Sequence, residues 1–343
     1  MTAVSSALGV ALPIAQAPMA GGPDTPALAA AASNAGALGS IGCGYLSPAQ
    51  IEARAAEVRQ LTARPFAINL FVRRDEPDDP VAEAHVLPVL RPFRRELGLP
   101  DDPAPAPQLP AFEAQLAAVL RIQPAVFSFT FGIVTREHVA ALHARSITII
   151  GTATTADEAD ALAEVGVDAI CAQGAEAGGH RGTFLGRFED ALIGTLALVP
   201  QLVRRTKLPV IAAGGIMDGR AIRAALELGA SAVQLGTAFM TCPEAGTAMA
   251  HREALAHAHQ TVVTRAFSGR CARAIRNRMT DAFETVAAAA FPQQQRLTAQ
   301  LRAAASSSGR TDLMQMWAGQ GAPLVRAMPA AELVQTLVRE AGL

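Results

Sequence analysis

One of the seven histidines in this chain lies in a setting suited to chemistry. His180 sits in a loop with four glycines, within Gln173–Gly182 (QGAEAGGHRG). A histidine with an ordinary pKa of about 6.5 can transfer a proton or hydrogen-bond an anion near neutral pH. The other six histidines lie in helical or proline-rich contexts with no evident partner. We therefore predict that His180 is the catalytic residue.

Glycines end two later apolar runs that follow each other in the chain. Glycine lets backbone N–H groups approach a ligand closely, and an adjacent helix N-terminus favours an anion. For either run alone, a tight turn is the alternative explanation. Two such ends in succession predict a phosphate site, and its candidate residues are Gly214, Gly215, Gln234, Leu235, Gly236 and Thr237.

Two amides and one methionine follow other apolar runs. Asn69 and Gln173 each offer a donor and an acceptor, which suits the edge of a heterocycle such as a flavin. Capping of ordinary loops explains these two amides equally well on spacing alone. Met19, within Pro18–Gly22, could line a flat ring, although methionine is also ordinary filler of apolar gaps.

Composition disfavours several classes of function. The net charge is −1 and aromatic residues make up 4%, so the chain has neither a basic field nor a stacking platform for nucleic acid. No metal-ligand spacing and no GxSxG is present, which disfavours a metal site and a serine hydrolase. The four cysteines are far apart and the uncharged runs are broken by polar residues. We therefore expect reduced thiols in a cytoplasmic protein without a membrane span.

The candidate residues fall at the ends of apolar runs that alternate with amphipathic, alanine-rich segments. Eight runs are short and nearly continuous in apolar residues, as are parallel strands that are covered on their outer face. This alternation predicts an α/β chain folded as a (β/α)8 TIM barrel, in which functional loops follow the strands. The predicted strands are Leu12–Ala17, Leu38–Gly42, Phe66–Val72, Val126–Phe131, Thr148–Gly151, Ala169–Gln173, Val210–Ala213 and Ala232–Leu235.

Two stretches interrupt the barrel pattern. Residues 73–110 are rich in proline and carry charged clusters, which predicts an excursion after the third strand, lying over the barrel. Residues 240–309 show mostly helical patterns and end in three serines and a glycine. We predict that they form a small, mostly helical lid domain inserted after strand eight. Residues 1–239 and 310–343 would then form the barrel.

The order of these motifs resembles that of the nitronate monooxygenases, long called 2-nitropropane dioxygenases. The segment Glu176–Gly182 (EAGGHRG) is the most specific part of the resemblance. The matching segments run in order over nearly the whole chain: Ala17–Gly21, Phe66–Phe71, Ala172–Gly182, Ala212–Ile216, Gln234–Thr237, Phe267–Arg270 and Ala318–Gly321.

The resemblance implies an FMN-dependent barrel with a lid-like second domain and with His180 beside the flavin. It implies that alkyl nitronates such as propionate 3-nitronate react with O2, through a flavin semiquinone, to give a carbonyl compound and nitrite. His180 would hydrogen-bond the nitro oxygens or take the α-proton of a neutral nitroalkane. The implied cofactor-binding residues are Met19, Asn69, Gln173, Gly178, Gly179, Gly214, Gly215, Gln234, Leu235, Gly236, Thr237, Gly319 and Gln320.

The expected substrate side departs from the family pattern. Typical members place several tyrosines around the substrate, whereas the only tyrosine here is Tyr45. We expect Phe127, Phe129 and Phe131 to fill part of that space, and Met316-Trp317 precede the last matching segment.

Two other functions stay open at this point. One is an FMN reductase that takes hydride from NAD(P)H, either a quinone reductase or a type II enoyl-acyl-carrier-protein reductase. Such enzymes share the barrel, the glycine-rich strand ends and the GGH loop. The other is a non-catalytic FMN-binding or assembly protein. We expect a monomer or homodimer that acts on a small molecule, with no nucleic-acid or membrane partner.

Overall fold

Eight parallel strands form the centre of the fold. The computed structural model describes residues 9–73 and 77–343; residues 1–8, assigned above to the barrel, and residues 74–76, in the excursion, lie outside the described residues. The barrel strands are β1 Ile14–Gln16, β2 Gly39–Gly42, β3 Phe66–Phe71, β4 Val126–Thr130, β5 Thr148–Ala153, β6 Ala169–Gln173, β8 Val210–Ala213 and β9 Ala232–Leu235, with the short strand β7 Gly179–His180 outside the barrel. Their order is β1-β9-β8-β6-β5-β4-β3-β2, and a bridge between Ala15 and Leu38 joins the two ends. The predicted (β/α)8 barrel is confirmed.

Apolar side chains on both faces account for the strands. All six residues of Phe66–Phe71 are buried, and Phe127 and Phe129 in β4 have no exposed surface. Such strands are continuous in apolar residues because helices cover the outer face while side chains fill the interior. The parallel register brings Asn69 level with Ser128, so the polar ends of neighbouring strands meet at one rim.

Side-chain caps begin most of the helices between the strands. Ser47 forms a capping box with Gln50, and Asp218 accepts a hydrogen bond from the Ala221 N–H at 2.8 Å. Such caps satisfy N–H groups that the first helical turn leaves unpaired. The helices around the barrel are Pro26–Asn34, Pro48–Leu61, Phe112–Ile122, Arg136–His143, Ala156–Val165, Thr195–Arg205, Gly219–Glu227 and Ala330–Ala341.

The proline-rich excursion contains a helix that its composition did not indicate. Pro80–Glu96 is helical although Pro88 and Pro92 lie inside it, and each proline removes one helical N–H donor. Val86 and Leu90, one turn apart, are buried in a hydrophobic cluster with residues from the segment after β9. Burial of this apolar face offsets the cost of the prolines, and the excursion lies against the inserted segment.

The segment after β9 combines helices with a short antiparallel sheet. Strand β10, Thr261–Thr264, pairs with β11, Ala272–Ile275, and β11 also pairs with β7, which places His180 opposite Ala272. The sequence patterns did not indicate this sheet. The helices are Met249–Ala256, Arg278–Ala282, Gln293–Leu297 and Ala299–Ser307, so the helical pattern predicted within 240–309 is divided among four short helices. The domain boundaries at 240 and 309 stay predictions.

Arg94 connects the excursion to the inserted segment from a fully buried position. Its guanidinium donates to the Pro100 carbonyl at 2.6 Å, to the Asp102 carbonyl at 3.1 Å and to Gln300 Oε1 at 3.0 Å. Arg94→Ala is expected to lower the free energy of unfolding by about 3 kcal/mol, because buried acceptors lose their donors. Urea denaturation at pH 7 measures this loss.

The adjacent Arg95 supplies a matched control. It is exposed and pairs with Asp101 on the surface. Arg95→Ala is therefore expected to leave the urea midpoint nearly unchanged, since exposed ion pairs contribute little to stability. Equal losses in the two variants would contradict a stabilising role for the buried contacts of Arg94.

Candidate active site

One cavity opens at the carboxyl end of the barrel strands. Residues at or after the ends of most strands line it, together with the loop that contains Trp317 and Gly319. Barrel enzymes place their functional loops at this face. All predicted site residues except Gln320 line this cavity: Met19, Asn69, Gln173, Gly178, Gly179, His180, Gly214, Gly215, Gln234, Leu235, Gly236, Thr237 and Gly319.

Gln320 is the predicted residue that the structure does not bring into the cavity. Its backbone N–H donates to the Glu176 carbonyl at 2.9 Å. Its side chain is exposed in a surface depression that also contains Arg276. The neighbouring Gly319 lines the cavity, and the chain direction at that point turns the Gln320 side chain outward.

The glycine-rich ends of β8 and β9 present free backbone donors. Gly214 and Gly215 have φ of +123° and +71°, a backbone conformation that residues with side chains rarely adopt. Among the described residues, no acceptor pairs with the N–H groups of Gly214, Gly215 or Gly236. The helix that begins at Gly219 lies next to them in the chain. Free N–H groups beside a helix N-terminus suit an anionic group such as a phosphate.

Two loops meet at the edge of the cavity with their backbones in contact. A Cβ placed on Gly178 would lie 2.5 Å from Gly319 N and 2.6 Å from the Ala318 carbonyl carbon. The Gly319 N–H also donates to Thr237 Oγ1 at 3.0 Å. The missing side chain at Gly178 therefore lets the loop after β6 close against the loop that follows Trp317.

His180 is held by a strand pairing and by a side-chain amide. It lies opposite Ala272 of β11, and Gln173 Nε2 donates to its carbonyl at 3.0 Å. Gln173 Oε1 accepts from the Gly182 N–H at 2.7 Å. Both polar groups of Gln173 thus hold the loop that carries His180. Asn69 likewise has a protein partner, since its Nδ2 donates to Ser128 Oγ at 2.9 Å.

The electrostatic surroundings keep the His180 imidazole neutral at neutral pH. Burial lowers its pKa to about 3, and the positive charges of Arg270 and Arg302 contribute. Its Nε2 lies 2.8 Å from Ser268 Oγ, and this hydroxyl lies 3.2 Å from the Arg270 carbonyl. When the hydroxyl donates to that carbonyl, Nε2 carries the ring proton and Nδ1 keeps a lone pair. A neutral ring with a free lone pair can accept a proton.

Aromatic rings surround His180 in place of tyrosines. The ring centroids of Phe131, Phe291 and Trp317 lie 5.5, 6.3 and 5.2 Å from that of His180, all at steep interplanar angles. These apolar rings reduce the access of water to the imidazole, which is partly buried and faces the cavity. Two rings separate Tyr45 from His180. Tyr45 packs edge-on against Phe71, with the centroids 5.1 Å apart, and Phe71 lies against Phe131 at 4.5 Å.

Of the three phenylalanines expected around the substrate, only Phe131 lines the cavity. Phe127 and Phe129 have no exposed surface and belong to the main hydrophobic core. Alternate residues of a strand share one face, so Phe127 and Phe129 stay together. Phe131 follows the end of β4 with φ of +78°, and this turn of the backbone takes its ring to the cavity instead.

Several residues near the site were missed from the sequence. Asp24 is fully buried and accepts hydrogen bonds from the Met19 and Gly42 N–H groups, both at 2.6 Å, which holds the loop after β1. Burial raises the pKa of Asp24 to about 6. No local pattern marks this residue. Thr130, Thr152 and Cys171 also line the cavity. Thr130 ends β4 and Thr152 precedes the last residue of β5, a signal that could have identified both, whereas Cys171 lies in the middle of β6.

The residues of the cavity fit a flavin mononucleotide. The empty space, counted out to the open mouth and therefore including solvent, is ≈ 1160 Å³. Free N–H groups at one side suit the phosphate, while Ala17, Met19 and Leu235 supply apolar surface for a ring. Within residues 9–73 and 77–343, no group of three or more His, Cys, Asp or Glu side chains could hold a metal ion.

Sequence comparisons place the chain among nitronate monooxygenases. The family model for nitronate monooxygenase matches residues 3–340. A nitronate monooxygenase from Pseudomonas aeruginosa is 47% identical over an alignment of 353 positions, gaps included, which covers 97% of each chain. A probable nitronate monooxygenase from Staphylococcus aureus is 39% identical over 97% of this chain and 95% of its own length.

Solved structures agree with the sequence comparisons. Nitroalkane oxidase from Streptomyces ansochromogenes has a TM-score of 0.94 at 39% identity, covering 99% of this chain and 98% of its own. FabK from Thermotoga maritima has a TM-score of 0.77 at 27% identity, covering 100% and 96%. The family match spans nearly the whole chain, and its curated relatives are enzymes. The chain is therefore an oxidoreductase that belongs to the nitronate monooxygenase family.

Proposed function

We propose that this enzyme binds FMN in the cavity at the carboxyl end of the barrel and oxidises alkyl nitronates with O2 to a carbonyl compound and nitrite. Family membership supports nitronate oxidation in general. The observation that carries the finer proposal is the convergence of the predicted cofactor residues, all but Gln320, on one cavity that contains His180.

The cofactor residues would hold FMN through different chemical groups. The free N–H groups of Gly214, Gly215 and Gly236 would bind the phosphate. Asn69 offers an amide to the edge of the ring, whereas Gln173 acts mainly by fixing the His180 loop. When bound, the flavin supplies the electron transfer and the reaction with O2, which protein side chains do not provide.

His180 would act on the nitro group or on the α-proton, and Ser268 permits both roles. A ring that donates from Nε2 to Ser268 keeps a lone pair on Nδ1 and can accept the α-proton of a neutral nitroalkane. A ring that instead accepts from the Ser268 hydroxyl at Nε2 carries its proton on Nδ1 and can donate to a nitronate oxygen. Phe131 and Trp317 would keep water away from either contact.

The alternative is an FMN reductase that uses NAD(P)H, because such enzymes share the barrel and the glycine-rich strand ends that this structure contains. The purified protein would be mixed without oxygen with propionate 3-nitronate, and in a separate cuvette with NADH. We expect the flavin absorbance to change with the nitronate only, and nitrite to form once air is admitted.

The other outcomes of this experiment separate the alternatives. Bleaching of the flavin by NADH alone would favour the reductase. Bound flavin that responds to neither compound would favour a non-catalytic FMN-binding protein. A purified protein without flavin absorbance, and unable to bind added FMN, would overturn the assignment of the cofactor.

We also propose a cytoplasmic location and a monomeric or homodimeric assembly for this enzyme. The four cysteines are unpaired thiols, which supports a cytoplasmic enzyme. No described helix has the length and apolar character needed to cross a membrane. A monomer or homodimer stays a prediction.

A further inference from the structure

Glu176 lies beside the glycine-rich end of β8 but does not line the cavity that contains His180. Its Oε1 and Oε2 accept hydrogen bonds from the Thr195 N–H at 3.0 and 2.9 Å. Thr195 begins a barrel helix whose N-cap, Gly194, has no side chain that could satisfy the first N–H groups. Glu176 therefore caps this helix from another loop, where the helix dipole stabilises a carboxylate.

The hydroxyl of Thr195 connects Glu176 to the end of β8. Thr195 Oγ1 lies 2.8 Å from Glu176 Oε2 and 3.0 Å from the Gly214 carbonyl oxygen, so its single proton is shared between two acceptors. Thr195 is 9% exposed, and water therefore competes little for these contacts. Within residues 9–73 and 77–343, this hydroxyl is the only donor to the Gly214 carbonyl, so it fixes the direction of that carbonyl.

The direction of the Gly214 carbonyl also decides where the next N–H points. The two groups belong to one planar trans peptide unit, in which C=O and N–H point in opposite directions. Thr195, which does not line the cavity, holds the carbonyl, so the Gly215 N–H points to the opposite side. Gly215 lines the cavity, and no described residue accepts from its N–H. A contact outside the cavity thus aims a free donor toward it.

Two glycines leave the space that these contacts occupy. A Cβ on Gly174 would lie 1.9 Å from Thr195 Oγ1 and 2.6 Å from Glu176 Oε2, and a Cβ on Gly214 would lie 2.9 Å from Thr195 Oγ1. Gly174 does not have a positive φ, so its backbone conformation does not require glycine. The steric reason remains: a side chain at this position would displace the Thr195 hydroxyl.

The negative charge of Glu176 is compensated although it lies close to the proposed phosphate site. Both carboxylate oxygens are engaged by Thr195. Arg273 is buried and donates from Nε to the Ala175 carbonyl at 2.9 Å, next to Glu176 in the chain. Burial lowers the pKa of Arg273, and the charge of Glu176 counteracts this effect. An anion at Gly215 would therefore meet a free N–H group rather than a free carboxylate.

We propose that Glu176 and Thr195 are positioning residues for the flavin phosphate: the carboxylate holds the Thr195 hydroxyl, and the hydroxyl holds the Gly214 carbonyl, so that the Gly215 N–H faces the phosphate. This inference rests on the proposed function, because it assigns the support of the FMN phosphate site. Neither side chain lines the cavity, so both act through the backbone of β8. A donor that is oriented in advance loses less freedom when its ligand binds, and this favours FMN over riboflavin.

Titration of the flavin-free enzyme with FMN and with riboflavin tests the proposal, because the two ligands differ only in the phosphate. Quenching of flavin fluorescence gives each dissociation constant. In Thr195→Val the dissociation constant for FMN is expected to rise about 10- to 100-fold, since the Gly214 carbonyl loses its donor and the Gly215 N–H is no longer held in place. The constant for riboflavin is expected to stay near the wild-type value. Thr195→Ser keeps the hydroxyl and is expected to bind both flavins like the wild type.

Substitutions of Glu176 separate its hydrogen bonds from its charge. Glu176→Ala removes both and is expected to weaken FMN binding as Thr195→Val does, so it carries the test if Thr195→Val does not fold. Glu176→Gln keeps an oxygen for the Thr195 N–H and offers an N–H to Thr195 Oγ1. FMN is therefore expected to bind to Glu176→Gln at least as tightly as to the wild type. Equal losses in Glu176→Gln and Glu176→Ala would overturn a role carried by hydrogen bonds.

Thr135→Val is the matched control for the loss of a threonine at a helix N-terminus. Thr135 caps the barrel helix Arg136–His143 by accepting from the His138 N–H at 3.3 Å, and it does not line the cavity. This variant is expected to lose stability but to keep wild-type affinity for both flavins. A Thr195→Val enzyme that binds FMN with wild-type affinity, or that loses FMN and riboflavin in equal proportion, would overturn the proposal.

The phosphorus NMR resonance of bound FMN gives a second readout on the loaded enzyme. At saturating FMN, its chemical shift is expected to move in Thr195→Val and to stay in place in Thr135→Val, and an unchanged shift in both variants would overturn the proposal. A wild-type enzyme that binds neither flavin would overturn the cofactor assignment of the proposed function. If FMN binds more tightly than riboflavin by the same factor in the wild type and in every variant, that assignment stands and only the role of Glu176 and Thr195 fails.

Discussion

Replacing His180 by asparagine is expected to lower kcat/KM for a neutral nitroalkane by about 100- to 10,000-fold, the range that loss of a general base costs. The loss for a preformed nitronate is expected to be much smaller, because its α-proton has already left. Burial lowers the pKa of the imidazole to about 3, so the ring is unprotonated at neutral pH and has a lone pair for the α-proton, although the same shift makes it a weaker base. Nitrite release from 1-nitropropane and from propyl-1-nitronate measures the two losses.

A matched histidine variant controls for this substitution. His143 is exposed and pairs with Asp168 on the surface, so His143→Asn is expected to leave both activities unchanged. Ser268→Ala is expected to show a smaller loss on the nitroalkane than His180→Asn, since Ser268 only sets the tautomer through its 2.8 Å contact with Nε2. Equal retention of both activities in His180→Asn would remove the role of His180 as a base.

Replacing Gly178 by alanine is expected to weaken FMN binding by about 10- to 100-fold, the equivalent of the roughly 1–3 kcal/mol that overpacking costs. The new methyl group would lie 2.5 Å from Gly319 N and 2.6 Å from the Ala318 carbonyl carbon. These are backbone atoms that cannot rotate away, so the two loops must separate. The FMN content of the purified variant and its dissociation constant for added FMN measure the effect.

Gly98→Ala serves as the control for a methyl group added to a glycine elsewhere. Gly98 has φ of +68° and nothing within 4 Å of the new Cβ position, and it does not line the cavity. This variant is expected to lose some stability through its backbone conformation but to bind FMN like the wild type. Wild-type FMN binding in Gly178→Ala would show that the contact between the loops does not shape the cofactor site.

The barrel could be predicted because each of its strands can be recognised from the residue types in a short stretch of sequence. Three predicted strands match the observed ones residue for residue: Ala169–Gln173, Val210–Ala213 and Ala232–Leu235. Strands buried on both faces must be apolar throughout, and glycine or a polar residue ends them where the chain leaves the sheet. A short window of sequence contains all of this information, so no distant contact is needed to interpret it.

Elements that depend on distant partners could not be predicted in this way. The helix Pro80–Glu96 contains two prolines, and its apolar face is buried in a cluster made largely of residues that follow β9 in the chain. Strand β11 is short, and β7, the strand it pairs with, lies about ninety residues earlier in the chain. Local propensity carries no information about such partners, because the stabilising burial and hydrogen bonds come from segments far apart in sequence.

The sequence by itself determined the barrel, the glycine-rich strand ends and the histidine of the site, because residue type and strand position decide these features locally. Only the tertiary structure decided what the side chains at those positions do. It turned Gln173 to the His180 loop, left Gln320 at the surface and placed Phe127 in the core. The physical reason is that the direction of a side chain follows from the local backbone path and from packing against residues distant in the chain.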